Sequence, residues 1–105
     1  MSVERVAWTG TLHPDRVDEY ARKHTEIWPE MAESLADVGI RNYSIFVHGN
    51  LAFGYYESSD AEASIRGQRE APIRPRWKAH MSGLFISDGT TRMREVMHLP
   101  GHPLS

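Results

Sequence analysis

The stretch RNYSIFVHGNLAFGYYES, residues 41–58, constrains the fold more than any other. It holds two eight-residue segments of alternating character, joined by Gly49-Asn50. One segment puts Tyr43, Ile45 and Val47 on a common face; the other does the same with Leu51, Phe53 and Tyr55. A period of two with aromatic and β-branched residues predicts strands. A Gly-Asn link supplies the positive φ values of a tight hairpin. An antiparallel hairpin therefore sits at the middle of the chain, and the flanks must be built around it.

Each flank offers helix and strand. Before the hairpin, RVAWTGTLH (5–13) reads as a strand and HPD (13–15) as a turn, with Asp15 a candidate N-cap. Helix formers run over 16–27. Trp28 precedes Pro29 and is biased away from helix, whereas Pro29 suits the first position of a second helix that stops at Gly39. After the hairpin, Ser59 or Asp60 opens a short, weak helix interrupted by Pro72 and Pro75. A helix over 74–85, a loop at SDGTT, a last strand over 92–100 and a mobile tail at 101–105 complete the chain.

The order β-α-β-β-α-β predicts a single α+β domain over 1–105, with a ferredoxin-like antiparallel sheet. Its helices cover one face. The open face, expected to carry Tyr43 and Phe53, needs a cover. A second subunit is the simplest one, in the manner of a dimeric α+β barrel. At 105 residues the core is modest, which favours that completion by association.

Bulk properties exclude several function classes. The formal net charge of -2 gives no global field toward nucleic acid or an anionic membrane. The absence of cysteine removes disulfides, thiolate metal sites and cysteine nucleophiles. No stretch reaches the ~20 apolar residues of a spanning helix, and the start lacks a signal-like apolar run, so a cytoplasmic location is expected. No P-loop, G-x-G-x-x-G or G-x-S-x-G occurs, so Ser44 and Ser82 have no nucleophile signature. Of the six histidines, His98 and His102 are four apart, but Pro100-Gly101 lies between them and no metal site is expected. The basic run RGQREAPIRPRWK fits either a solvated face or a lid over an anionic or polar ligand.

Tyr20, His24 and Trp28 recur every four residues in EYARKHTEIWPE. Helical spacing brings Tyr20 and His24 together. This pattern suits a core stripe with a tolerated histidine. It also allows a proton-transfer group in an aromatic cavity, since histidine titrates near neutrality and aromatic faces match the C–H face of a sugar.

The motifs DEY, HTEIWPEM, GIRNYSIF, RWKAHM and REVMHLP, in this order, resemble the L-rhamnose mutarotase family over nearly the whole chain. The resemblance implies a homodimer of ferredoxin-like subunits that interconverts the α and β anomers of a free monosaccharide without metal or organic cofactor. It implies that His24 is the catalytic proton donor, that Tyr20 and Tyr43 bind the sugar, and that Trp77 walls it, with Trp28 as a second candidate wall. Lys78 stands where the family commonly has another tryptophan, so a cation replaces an aromatic there. Mutarotation needs a proton at the ring oxygen and a base at the anomeric hydroxyl. The expected roles are His24 as an imidazolium donor, with Tyr20 or water at the hydroxyl. Two other readings share the fold plan: a cofactor-independent monooxygenase of the dimeric α+β barrel type, and a non-catalytic small-ligand-binding dimer.

Overall fold

The computed structural model describes residues 3–86 and 89–101. Strand β1 spans Glu4–Thr11, β2 Arg41–His48, β3 Leu51–Ser58 and β4 Thr91–Met93. Helices α1 (Val17–Thr25) and α2 (Pro29–Asp37) lie between β1 and β2, and α3 (Ala61–Glu70) and α4 (Arg74–His80) between β3 and β4. The sheet is antiparallel with strand order β2-β3-β1-β4, the ferredoxin-like α+β arrangement.

The hairpin sets the register. His48 pairs with Leu51 and Phe46 with Phe53. On β3 this leaves Ala52, Gly54, Tyr56 and Ser58 on the buried, helix-covered face. Tyr43 lies on that inner face as well, with its ring 5.1 Å from Tyr56. The expectation that Tyr43 and Phe53 share the open face is therefore corrected: only Phe53 is there, beside Phe46. A register shift between Arg41 and Ser44, at Asn42 with φ 51, turns Arg41 opposite Glu57.

Two clusters make the core. Val6, Ile40, Tyr56 and Ala61 form one; Leu12, Tyr20, Ala52 and Leu84 form the other, and Trp8 packs against both. Trp8 stands opposite Gly54, where any Cβ would overlap its indole ring.

Several boundaries differ from the sequence expectation. Asp15 caps nothing: Pro14–Arg16 is a 3-10 turn, and α1 starts at Val17 with no side-chain cap. The helix ends at Thr25, because Pro29 draws Trp28 into the extended region at ψ 135. Far from being weak, α3 is the longest described helix. Asp60 accepts from the Ala63 N–H at 3.1 Å and Glu4 from the Ala61 N–H at 2.8 Å, so two of its orphan donors are satisfied. The helix expected over 74–85 stops at His80, since Gly83 adopts φ 79 and sends Leu84 into the core and Phe85 into a bridge with Leu12.

The last strand is much shorter than 92–100. Only Ala7, Trp8 and Thr9 pair with β4. Beyond it Arg5 holds Glu95 at 2.7 Å, and Val96, Met97 and Leu99 are 81%, 71% and 75% exposed. Residues 102–105 of the expected tail, and Ser87 and Asp88 of the expected loop, lie outside the described residues.

Candidate active site between the helices and the sheet

A cavity of about 1960 Å³ separates the inner sheet face from the helices. That exceeds the ~300–1,000 Å³ of an enclosed small-molecule pocket, so it is a cleft open to water. Tyr20 and His24 of α1, Tyr43 of β2, and Trp77 and Lys78 of α4 all line it. The sequence separates these residues widely; the fold brings them to one site.

His24 occupies the last turn of α1, where Pro29 ends the helix series and exposes the ring to the cleft. Its Nδ1 lies 3.0 Å from the Tyr20 carbonyl oxygen. A carbonyl can only accept, so Nδ1 carries a proton and Nε2 is the free ring nitrogen. The His24 ring contacts Tyr20 at 4.3 Å and meets Trp77 edge-on at 5.8 Å. Burial lowers the His24 pKa from its ordinary value, against a smaller opposing effect of the Tyr20 carbonyl.

Tyr20 is only 2% exposed and belongs to the core as much as to the site. Burial, reinforced by the nearby Tyr43, raises its pKa strongly. Tyr43 is likewise pushed up to about 12, chiefly by burial. The Trp8 Nε1–H donates to the Tyr43 hydroxyl oxygen at 3.0 Å. That fills an acceptor position and leaves the Tyr43 O–H available to a ligand. Both phenols stay protonated donors at neutral pH.

Trp28 is placed differently from the others. It does not line the cleft but lies behind Trp77, with rings 5.1 Å apart, and against His80 at 4.8 Å. It braces the wall that Trp77 presents. Lys23 adds a second brace: its ammonium donates to the His80 carbonyl at the C-terminus of α4 and pairs with Glu19 at 3.1 Å. Hydrogen bonds from Arg16 and Lys23 keep Glu19 ionised and its pKa low. Arg76 reaches Glu30 on α2 at 3.0 Å, which ties the other side of α4.

Trp8 is the site residue that sequence reasoning missed. Its signal was present: an aromatic at alternate spacing from Val6, with Gly54 in the facing strand to make room for the ring. Among the described residues no three His, Asp or Glu side chains come together as a metal site requires. No described helix is long and apolar enough to cross a membrane.

Comparison with known proteins gives the family and the fold. The sequence profile described as L-rhamnose mutarotase matches residues 5–99. The chain is 35% identical over 104 residues to an L-rhamnose mutarotase of Oceanobacillus iheyensis, covering 92% of this chain and 99% of that one. Among solved structures it is similar to an L-rhamnose mutarotase from Formosa agariphila, with TM-score 0.79, 23% identity, and 92% and 99% of the two chains covered. A dimeric ferredoxin-like protein from an uncultured marine organism shares the fold at TM-score 0.65 and 10% identity, over 94% and 95% of the chains. A profile match over residues 5–99, together with 35% identity to a relative across 92% of the chain, places the protein in the L-rhamnose mutarotase family.

Proposed function

We propose that this protein is an isomerase that interconverts the α and β anomers of L-rhamnose, with His24 as the proton-transfer group. The observation that carries the reading is the Nδ1–H bond from His24 to the Tyr20 carbonyl, which presents Nε2 to an aromatic cleft. Burial makes neutral imidazole the resting form. The imidazolium donor expected from the sequence then forms during the reaction, when Nε2 takes a proton, since desolvation disfavours the charged form at rest.

The reaction then balances on one side chain. Nε2 takes the proton of the anomeric hydroxyl as that oxygen forms a carbonyl with C1. The C1–O5 bond breaks, and the imidazolium returns the proton to O5. A lowered pKa makes this imidazolium the stronger donor. Rotation about C1–C2 and the reverse sequence close the ring on the other face. Tyr43 donates to a sugar oxygen, Tyr20 supports His24, and Trp77 walls the ring. Positioned acid–base catalysis of this kind contributes about 10²–10⁴-fold.

The reading treats 1–105 as one domain. It also takes the protein as a cytoplasmic homodimer with a monosaccharide, not a nucleic acid, as its partner. Association is supported by the exposed outer face, where Phe46 is 61% accessible, and by the dimeric neighbour of the same fold. No particular observation favours the monooxygenase or the binding module.

Saturation-transfer NMR tests the proposal, irradiating one anomeric proton of L-rhamnose and observing the other. Wild-type protein accelerates the exchange, whereas His24→Asn loses at least about a hundredfold of the acceleration with an unchanged melting temperature. Wild-type rates in a folded His24→Asn protein would remove His24 from the mechanism.

A further inference from the structure

The cleft is more cationic than a neutral sugar requires. On α4 the face toward the cleft carries Arg74, Trp77, Lys78 and Met81 at steps of three and four residues. On α3 the same face includes Ile65, Arg66 and Arg69. Arg66, Arg69 and Lys78 are exposed and Arg74 partly buried, so the four cations stand around the opening of the cleft, where like charges at such spacings repel along each helix. Arg92 joins them from β4, opposite Trp8 on the inner face.

Carboxylates do not balance these cations. Among the described lining residues Glu62 is the single acid. The ion pairs of the described residues lie elsewhere: Arg5 with Glu95, Arg16 and Lys23 with Glu19, and Arg76 with Glu30. The contrast within α4 is informative. Arg76 lies off the cleft and has a carboxylate at 3.0 Å, while Arg74 and Lys78 line its edge and have none among the described residues. Unpaired cations around a partly apolar cleft focus a positive potential inside a chain whose net charge is -2.

We propose that this cleft also takes pyranoses carrying an anionic substituent, a carboxylate or a phosphate ester, held by Arg74 and Lys78 with Arg66 and Arg69 across the opening. The inference rests on the mutarotase reading of the same site and specifies its substrate class. Trp77 sits between Arg74 and Lys78 on α4 and contacts His24. A sugar ring on Trp77 therefore has the proton-transfer group on one side and cations on the other. In a uronate the carboxylate is attached next to the ring oxygen and at the opposite side of it from the anomeric carbon. The cleft has room for this group beyond the ring.

The test uses the full chain with L-rhamnose, D-galacturonate, D-glucose 6-phosphate and inorganic phosphate as separate probes. Exchange is read by saturation transfer and binding by titration. The charged sugars are expected to exchange faster with protein present, and to bind more weakly as salt rises. Arg74→Gln/Lys78→Gln should lower the preference for the charged sugars over L-rhamnose by about tenfold or more. If that pair does not fold, Arg66→Gln/Arg69→Gln should lower it in the same direction. The two charged sugars distinguish carboxylate from phosphate ester. Exchange of L-rhamnose with neither exchange of, nor inhibition by, the charged sugars overturns this inference and leaves the mutarotase reading standing. Salt-sensitive binding of a charged sugar, lost in the variants and without exchange of any sugar, keeps the anionic site and removes the mutarotase reading. Inorganic phosphate binding as tightly as the charged sugars would reduce the cleft to a bare anion site and overturn the proposal.

Discussion

On the inner face of the sheet, Trp8 and Tyr43 are joined by a hydrogen bond across Gly54. On the outer face, Phe46 and Phe53 stand 6.4 Å apart, ring to ring, with Leu51 and Met93 also exposed. Both faces are aromatic, but their polar handles differ: on the outer face the Tyr55 hydroxyl donates to Glu57 at 2.8 Å, whereas on the inner face the Tyr43 O–H is left free beside the cleft. Aromatic groups with N–H and O–H donors suit an oriented polar ligand, whereas bare phenyl rings suit burial against another protein surface. On the proposed reading, one sheet separates chemistry from association by the identity of alternate residues.

The sharpest way to test this division is through pH. If the inner face works through neutral His24, activity on L-rhamnose falls on the acid side, about tenfold per unit once below the pKa. Because burial lowers that pKa, the midpoint lies below the ordinary 6.5. A pH–rate profile with a midpoint at or above that value would rule out a neutral resting His24. The same sign holds for stability: a buried neutral histidine loses its contribution as pH falls.

A charge on the outer face should break association and spare the cleft's architecture. Phe46→Glu is expected to weaken self-association by about 2 kcal/mol or more, the scale of a central interface residue. Sedimentation across a concentration series reads this, and circular dichroism checks the fold. An unchanged assembly would move the interface off this face. On the inner face, Gly54→Ala forces its Cβ into the Trp8 ring and should cost about 1–3 kcal/mol in urea unfolding. A neutral result would mean that the indole is free to shift. The smallest change is Trp8→Phe, which removes the donor to Tyr43 and should cost about 1 kcal/mol. A loss of anomer exchange larger than the loss of stability would show that this bond orients Tyr43 for the sugar.

Much of this organisation was legible in the sequence. Alternation and Gly49-Asn50 specified β2 and β3 to the residue, and Pro29 specified the break that leaves His24 near a helix end. The error over Tyr43 came from treating the two strands' faces separately. A two-residue hairpin already pairs Phe46 with Phe53, and so turns Tyr43 the other way. Other features had no local signal. The end of α4 depends on Leu84 reaching the core, and the strength of α3 on Glu4, 57 residues earlier in the chain. Beyond Met93 the sequence keeps strand-like residues, but the chain continues without a ladder partner among the described residues.

The ties on α4 determine which part of the cleft can yield. Lys23 fastens its C-terminus to α1, Arg76 fastens it to α2, and Arg16 holds the Gly83 carbonyl at 3.0 Å. The end of the cleft that holds His24 and Trp77 thus carries three ties. The far end, at Arg92 and Gly89, is bounded by a strand of three residues. On the proposed reading, tolerance for different substrates is then unevenly distributed: the reacting carbon would meet the tied frame, and variation in the rest of the sugar would be absorbed at the three-residue strand.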